Sequence, residues 1–138
     1  MNAATHRTVK FTLNFLTPLL NTTSRQHFHK RTAARRSLAW DIRVAIGRGF
    51  RPPEPFVRAR VTIRRYSIGT PDPDGFAGGL KALLDCLQPA SARHPTGLGF
   101  ILDDAPSCMV PEFAAIRCAT RAEQRTEVVI TELLGEAP

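Results

Sequence analysis

No stretch of this 138-residue sequence approaches the roughly 18 consecutive apolar residues that a bilayer span requires, so no transmembrane segment is expected. The N-terminus, Met1 to Lys10, lacks the basic region, apolar stretch and small-residue cleavage site of a secretory signal, and the expected location is the cytoplasm. Cysteine is scarce. Cys86, Cys108 and Cys118 are odd in number, at spacings of 22 and 10 that fit neither a disulfide framework nor a CxxC pattern, and are expected as buried free thiols. No P-loop pattern surrounds Gly78 and Gly79, no Gly-x-Ser-x-Gly elbow is present, and His94 stands alone without a hydrolase triad. There is no internal repeat and no low-complexity tail, and the length suits one domain with one core.

Acid is nearly missing from the first half. Residues 1–65 hold 14 of the 19 Lys and Arg against only Asp41 and Glu54, a net of +12, whereas residues 66–138 carry 5 basic and 10 acidic groups, a net of −5. Arginine-rich positive charge concentrates polyanions and offers forked donors to phosphate, which points to nucleic acid; a solvated basic surface is the plainer reading.

Val9, Phe11, Leu13 and Phe15 alternate with Lys10, Thr12 and Asn14, the period of a strand with one buried face. Pro18 ends it, and residues 21–30, with Arg25, His27 and His29, read as a polar loop. Two histidines without a third ligand nearby favour phosphate or solvent contact over a zinc site. Ala34, Leu38, Ile42, Ala45 and Ile46 repeat at helical spacing from about residue 30 to 46, with Arg31, Arg35, Arg36 and Arg43 largely off that stripe, and Gly47 and Gly49 suit the helix end. The proline-rich run from Arg51 to Pro55 reads as a stiff connector. Val57, Ala59, Val61 and Ile63 then alternate with Arg58, Arg60, Thr62 and Arg64, so a second strand is expected to turn its arginines outward. Leu80, Leu83, Leu84 and Leu87 mark a second helix, with Lys81 and Asp85 on another of its faces, and further strands are expected near 112–119 and 127–134. The expected architecture is one α+β domain spanning residues 1–138, in the order β-α-β-α-β-β, its small mixed sheet covered by two helices.

The chemistry-bearing cluster is Asp72-Pro73-Asp74, then Lys81, then Asp103-Asp104. Asp72 and Asp74 fall where a strand ends and a helix begins, so both can enter one cleft, and Asp74 is near enough to the helix start to serve as its N-cap. Magnesium takes oxygen ligands, commonly one or two carboxylates with water and phosphate oxygens, which Asp72, Asp74 and one of the later pair can supply. Each group also has a plainer reading. Asp-Pro-Asp-Gly is a common turn, Asp103-Asp104 is another, and Lys81 with Asp85 makes an ordinary i, i+4 surface pair. An EF-hand counted from Asp72 fails, because its sixth and twelfth positions are Ala77 and Leu83. An arginine-laden strand leading directly into the acid pair favours the metal reading, because phosphodiester hydrolysis needs both charges in one place.

The run from Asp72 to Leu87, followed by Phe100-Ile101-Leu102-Asp103-Asp104, closely resembles the RusA family of Holliday-junction resolvases, especially its phage-borne members. Pro18 to Asn21, the His- and Arg-rich loop and Ala39-Trp40-Asp41-Ile42-Arg43 resemble the family's N-terminal half, so the resemblance spans nearly the whole chain. It implies a homodimeric, Mg²⁺-dependent endonuclease that cuts four-way DNA junctions in recombination or repair. By motif, Asp72 and Asp74 match the metal-binding pair, Lys81 the catalytic lysine and Asp104 the third carboxylate. Gly75 stands where family members usually carry Asn. Arg35, Arg36, Arg58, Arg60 and Arg64 are the expected DNA contacts. Val128, Val129, Ile130, Leu133 and Leu134 supply apolar surface for a dimer interface. The alternative is a basic DNA- or RNA-binding protein without catalysis, in which the acids are turn residues.

Overall fold

The computed structural model describes residues 6–19 and 28–134, the side chains of 28–31 apart. The expectations placed on Leu20, Asn21, Arg25 and His27, and on the side chains of His29 and Arg31, lie outside the described residues. The elements are β1 (Thr8–Leu13), α1 (Phe28–Ile46), β2 (Ala59–Ser67), α2 (Pro73–Gly79), α3 (Lys81–Leu87), β3 (Met109–Arg117), a single 3₁₀ turn (Arg121–Glu123) and β4 (Arg125–Glu132). The strands form one mixed sheet in the order β1-β4-β2-β3. β4 runs antiparallel to both β1 and β2, and β2 and β3 are parallel. This is the α+β domain expected, with one helical layer over the sheet.

The alternation read in β1 and β2 sets which face is covered. Register places Val9 beside Ile130 and Ile130 beside Val61, then Phe11 beside Val128 and Val128 beside Ile63, so all six point to one side. They are buried with Ala39, Ile42 and Ile46 of α1 and Leu83, Cys86 and Leu87 of α3. Each fully buried large aliphatic side chain contributes roughly 1.5–3 kcal/mol. The opposite face is polar: Lys10, Arg60, Thr62, Arg64, Tyr66, Glu112, Arg125 and Glu127 follow from the same register. Arg7 closes the open end of β1 on β4, donating from Nε and Nη2 to Glu132 at 2.7 and 2.9 Å. That contact holds the Glu132 carboxyl below the usual range.

Several expected boundaries move. Val57 is 71% exposed and lies outside β2, whose inward alternation instead continues through Arg65, only 7% exposed. The last strands are 109–117 and 125–132 rather than 112–119 and 127–134. The second helix is built as two helices joined at Leu80, whose N–H bonds to Ala77 O as α2 closes. The apolar stripe of α1 is narrower than its periodicity implies. Ala34 and Ala45 are exposed, while Ala39 takes a buried place beside Ile42. Gly47 does end α1, at φ 55 with its N–H on Arg43 O, the left-handed position that other residues occupy at a cost. Cys86 is buried as expected, but Cys108 and Cys118 are only half-buried; all three are free. Among the described residues no helix is long and apolar enough to cross a membrane.

Candidate metal and nucleic-acid site

After Ser67 the chain leaves the sheet through Ile68 to Pro71, and Asp72 takes extended dihedrals at the start of α2. Asp72, rather than Asp74, is the N-cap: its Oδ1 accepts the Gly75 N–H at 2.6 Å. Pro73 fills the first helical position, where a missing N–H costs nothing, and Asp74 sits in the first turn, where negative charge meets the positive end of the backbone dipoles. A Cβ at Gly75 would come within 3.0 Å of Asp72 Oδ1 and 3.1 Å of Oδ2, so a side chain there would need the carboxylate to give by a few tenths of an ångström. Gly79 is more tightly constrained, since its Cβ would lie 1.7 Å from the carbonyl oxygen of Pro18. The segment after β1 therefore seats directly on the end of α2.

Asp72, Asp74 and Lys81 are all exposed, as are Asp103 and Asp104. None of the five makes an ion pair among the described residues, whereas Asp85, Glu112, Glu127 and Glu132 are all engaged by cations. The pairing of Lys81 with Asp85 is overturned. Asp85 is buried and faces α1, with Oδ2 3.2 Å from Arg35 Nη2 and Oδ1 3.8 Å from His94 Nδ1. Lys81, at the first position of α3, is left to solvent.

The two acid pairs attach to opposite ends of β2. Asp72 and Asp74 follow its C-terminal end, while Asp103 and Asp104 follow Ile101, which bridges to Phe56 just before β2 begins. Asp103 Oδ1 accepts the Asp104 N–H at 2.7 Å. Among the described residues, no three His, Cys, Asp or Glu side chains form a group able to hold a metal ion. At the start of α2 one oxygen of Asp72 is taken by the Gly75 N–H, while its second oxygen and the exposed Asp74 carboxylate are the oxygen donors there of the kind magnesium takes.

The expected DNA-contacting arginines divide between two surfaces. Arg60 and Arg64 project from the open sheet face, Arg60 Nε standing 3.3 Å from Glu112 in an exposed pair that contributes little. Arg58, just before β2, is half-buried, and its Nε has no hydrogen-bond partner among the described residues. Arg35 and Arg36 belong to the helical layer on the other side, and Arg35 is held by Asp85.

Sequence reasoning passed over Arg65. Its Nε donates to Thr17 O at 3.0 Å, burial lowers its pKa from the ordinary arginine value, and no carboxylate pairs with it among the described residues. The signal was present, because Arg65 occupies the next inward position after Ala59, Val61 and Ile63. Of the apolar residues expected at a dimer interface, Val128 and Ile130 lie in β4 between β1 and β2, fully buried and committed to the fold, whereas Val129 and Leu133 are half-buried and Leu134 is exposed. Compared with known proteins, the chain matches no family model and no curated protein.

Proposed function

We propose that this chain is a metal-dependent endodeoxyribonuclease of branched DNA that hydrolyses phosphodiesters at four-way junctions, acting in the cytoplasm in recombination or repair. The observation that carries the reading is the set of unpaired charges around α2 and α3. Asp72, Asp74 and Lys81 are exposed without ion-pair partners, directly after a strand bearing Arg60, Arg64 and Arg65. Asp72 and Asp74 would hold Mg²⁺ without Asp104, which lies toward the other end of β2. The bound ion supplies Lewis-acid charge at the scissile phosphate. Gly75 fixes one oxygen of Asp72 through its N–H and so orients the carboxylate. Lys81 places a mobile ammonium one helical segment later, where it can meet the charge that grows on the phosphate oxygens. A junction has near two-fold symmetry and needs two matched cuts, and one acidic set per chain is most simply doubled by a symmetric homodimer.

A second reading, a binding protein for DNA or RNA without catalysis, draws support from one observation. The described residues do not bring Asp104 into a three-carboxylate group with Asp72 and Asp74. Incubation of the chain with labelled four-way junction, duplex and single strand separates the two readings. The nuclease cuts the junction in Mg²⁺ and not in chelator, whereas a simple binder cuts nothing and holds its substrate at least as well without divalent ions, which compete for phosphate.

A further inference from the structure

A groove of about 660 Å³ runs between α1 and the loop after α3, lined by Arg35, Arg36, Trp40, Arg43, Arg93 and His94, with Asp85 at its base. None of Asp72, Asp74, Lys81, Asp103 or Asp104 lines it. Arg36, Trp40 and Arg43 are spaced i, i+4 and i+7, which puts them in one row along α1. At 1.5 Å rise per residue the two arginines stand about 10 Å apart along the helix axis, with the indole between them. Trp40 is 65% exposed, although a tryptophan buried elsewhere in the core would contribute more than most residues to stability. The groove carries four guanidiniums against one carboxylate, and that carboxylate is already held by Arg35. Arg36, Arg43 and Arg93 make no ion pair among the described residues.

We infer that this groove binds single-stranded DNA, with one unstacked base lying on Trp40 and the flanking phosphates on Arg36, Arg43 and Arg93. A positively charged groove that tracks the backbone, with an aromatic face for the base, is the chemistry by which single strands are held without sequence readout. A duplex keeps its base faces stacked against one another and offers the indole nothing. The volume lies within the range of sites that enclose small ligands, enough for a short stretch of strand rather than a helix. The inference rests on nucleic acid being the partner, as proposed above, but not on catalysis.

Trp40 is the chain's one tryptophan, so its emission reports the groove directly. The full chain is titrated in chelator with a short oligothymidylate, with duplex of the same length and with inorganic phosphate. A saturable change in emission is expected with the single strand, at concentrations where the other two leave it unchanged. By anisotropy of a labelled oligothymidylate, Trp40→Ala should weaken binding by about five- to hundredfold, the loss of one stacked base, while Trp40→Phe retains most of the affinity. Arg43→Ala with Arg93→Ala should flatten the salt dependence by up to about two in log K against log salt. An emission change that duplex or phosphate matches, or unaltered affinity in Trp40→Ala, overturns the inference. Because the titration is made without divalent ions, an absence of junction cleavage counts against the nuclease and leaves this result standing.

Discussion

Asp72 carries two loads that substitution can separate. As N-cap it stabilises α2 through its bond from Gly75, and as a carboxylate it is a proposed metal ligand. Asparagine caps helices as well as aspartate, whereas alanine costs about 1 kcal/mol at such a position. Asp72→Asn should therefore melt with the wild type and Asp72→Ala below it, while both lose Mg²⁺-dependent cleavage. Thermal unfolding followed by circular dichroism reads the first effect and a junction assay the second. Gly79→Ala tests a contact of a different kind: its methyl group meets the Pro18 carbonyl, and the shift needed should cost about 1–3 kcal/mol in denaturant unfolding. The acidic motif was legible because its spacing is local. The need for glycine at 79 was not, since the atom it makes room for belongs to a segment more than sixty residues earlier.

At the scale of elements, β2 was the most readable segment. Its alternation gave the covered face, the exposed Arg60 and Arg64, and, followed one step further, the buried Arg65. Periodicity failed where two faces of a helix both carry mixed residues. In α3, Asp85 reads as a surface neighbour of Lys81 until α1 is placed against it, and only then does its pairing with Arg35 become apparent. Removing Arg35 leaves the buried Asp85 with only the His94 contact, so Arg35→Ala should destabilise the chain by about 1–3 kcal/mol. Asp85→Asn added to that variant should recover part of the loss, read as a rise in denaturant midpoint. The tie between β1 and β4 gives a pH test. The folded carboxyl of Glu132 is depressed by its bond from Arg7, so its contribution is complete above the ordinary value near 4.5 and lost as pH falls through the lower folded value. Glu132→Gln should accordingly melt below wild type at neutral pH, with the two curves converging in acid.

Over the whole molecule, charge divided by sequence is redistributed in space. The basic half supplies β1, α1 and β2, but β2 lies between β4 and β3, whose Glu127 and Glu112 stand on its open face among the arginines. Exposed arginines therefore reach solvent on both sides of the sheet, Arg60 and Arg64 on its open face and Arg36 and Arg43 on α1. A linear sequence shows the amount of charge and not this division, which depends on the crossovers that carry the helices to one side. Neutralising Arg60 and Arg64 together, or Arg36 and Arg43 together, should each lower the salt slope of junction binding by up to about two if that surface meets phosphate. The pair that leaves the slope unchanged marks the face turned away from the junction. Light scattering with and without junction DNA is expected to give the mass of a dimer, and a monomer making only single nicks would contradict junction resolution while leaving a nuclease. The most direct measurement is cleavage of a labelled four-way junction by wild type, Asp72→Asn and Asp74→Asn in Mg²⁺, with junction binding followed in parallel. Cleavage by the wild type alone, with all three proteins binding the junction comparably, is the expected result; cutting by either variant at near the wild-type rate, or none by the wild type, contradicts the assignment.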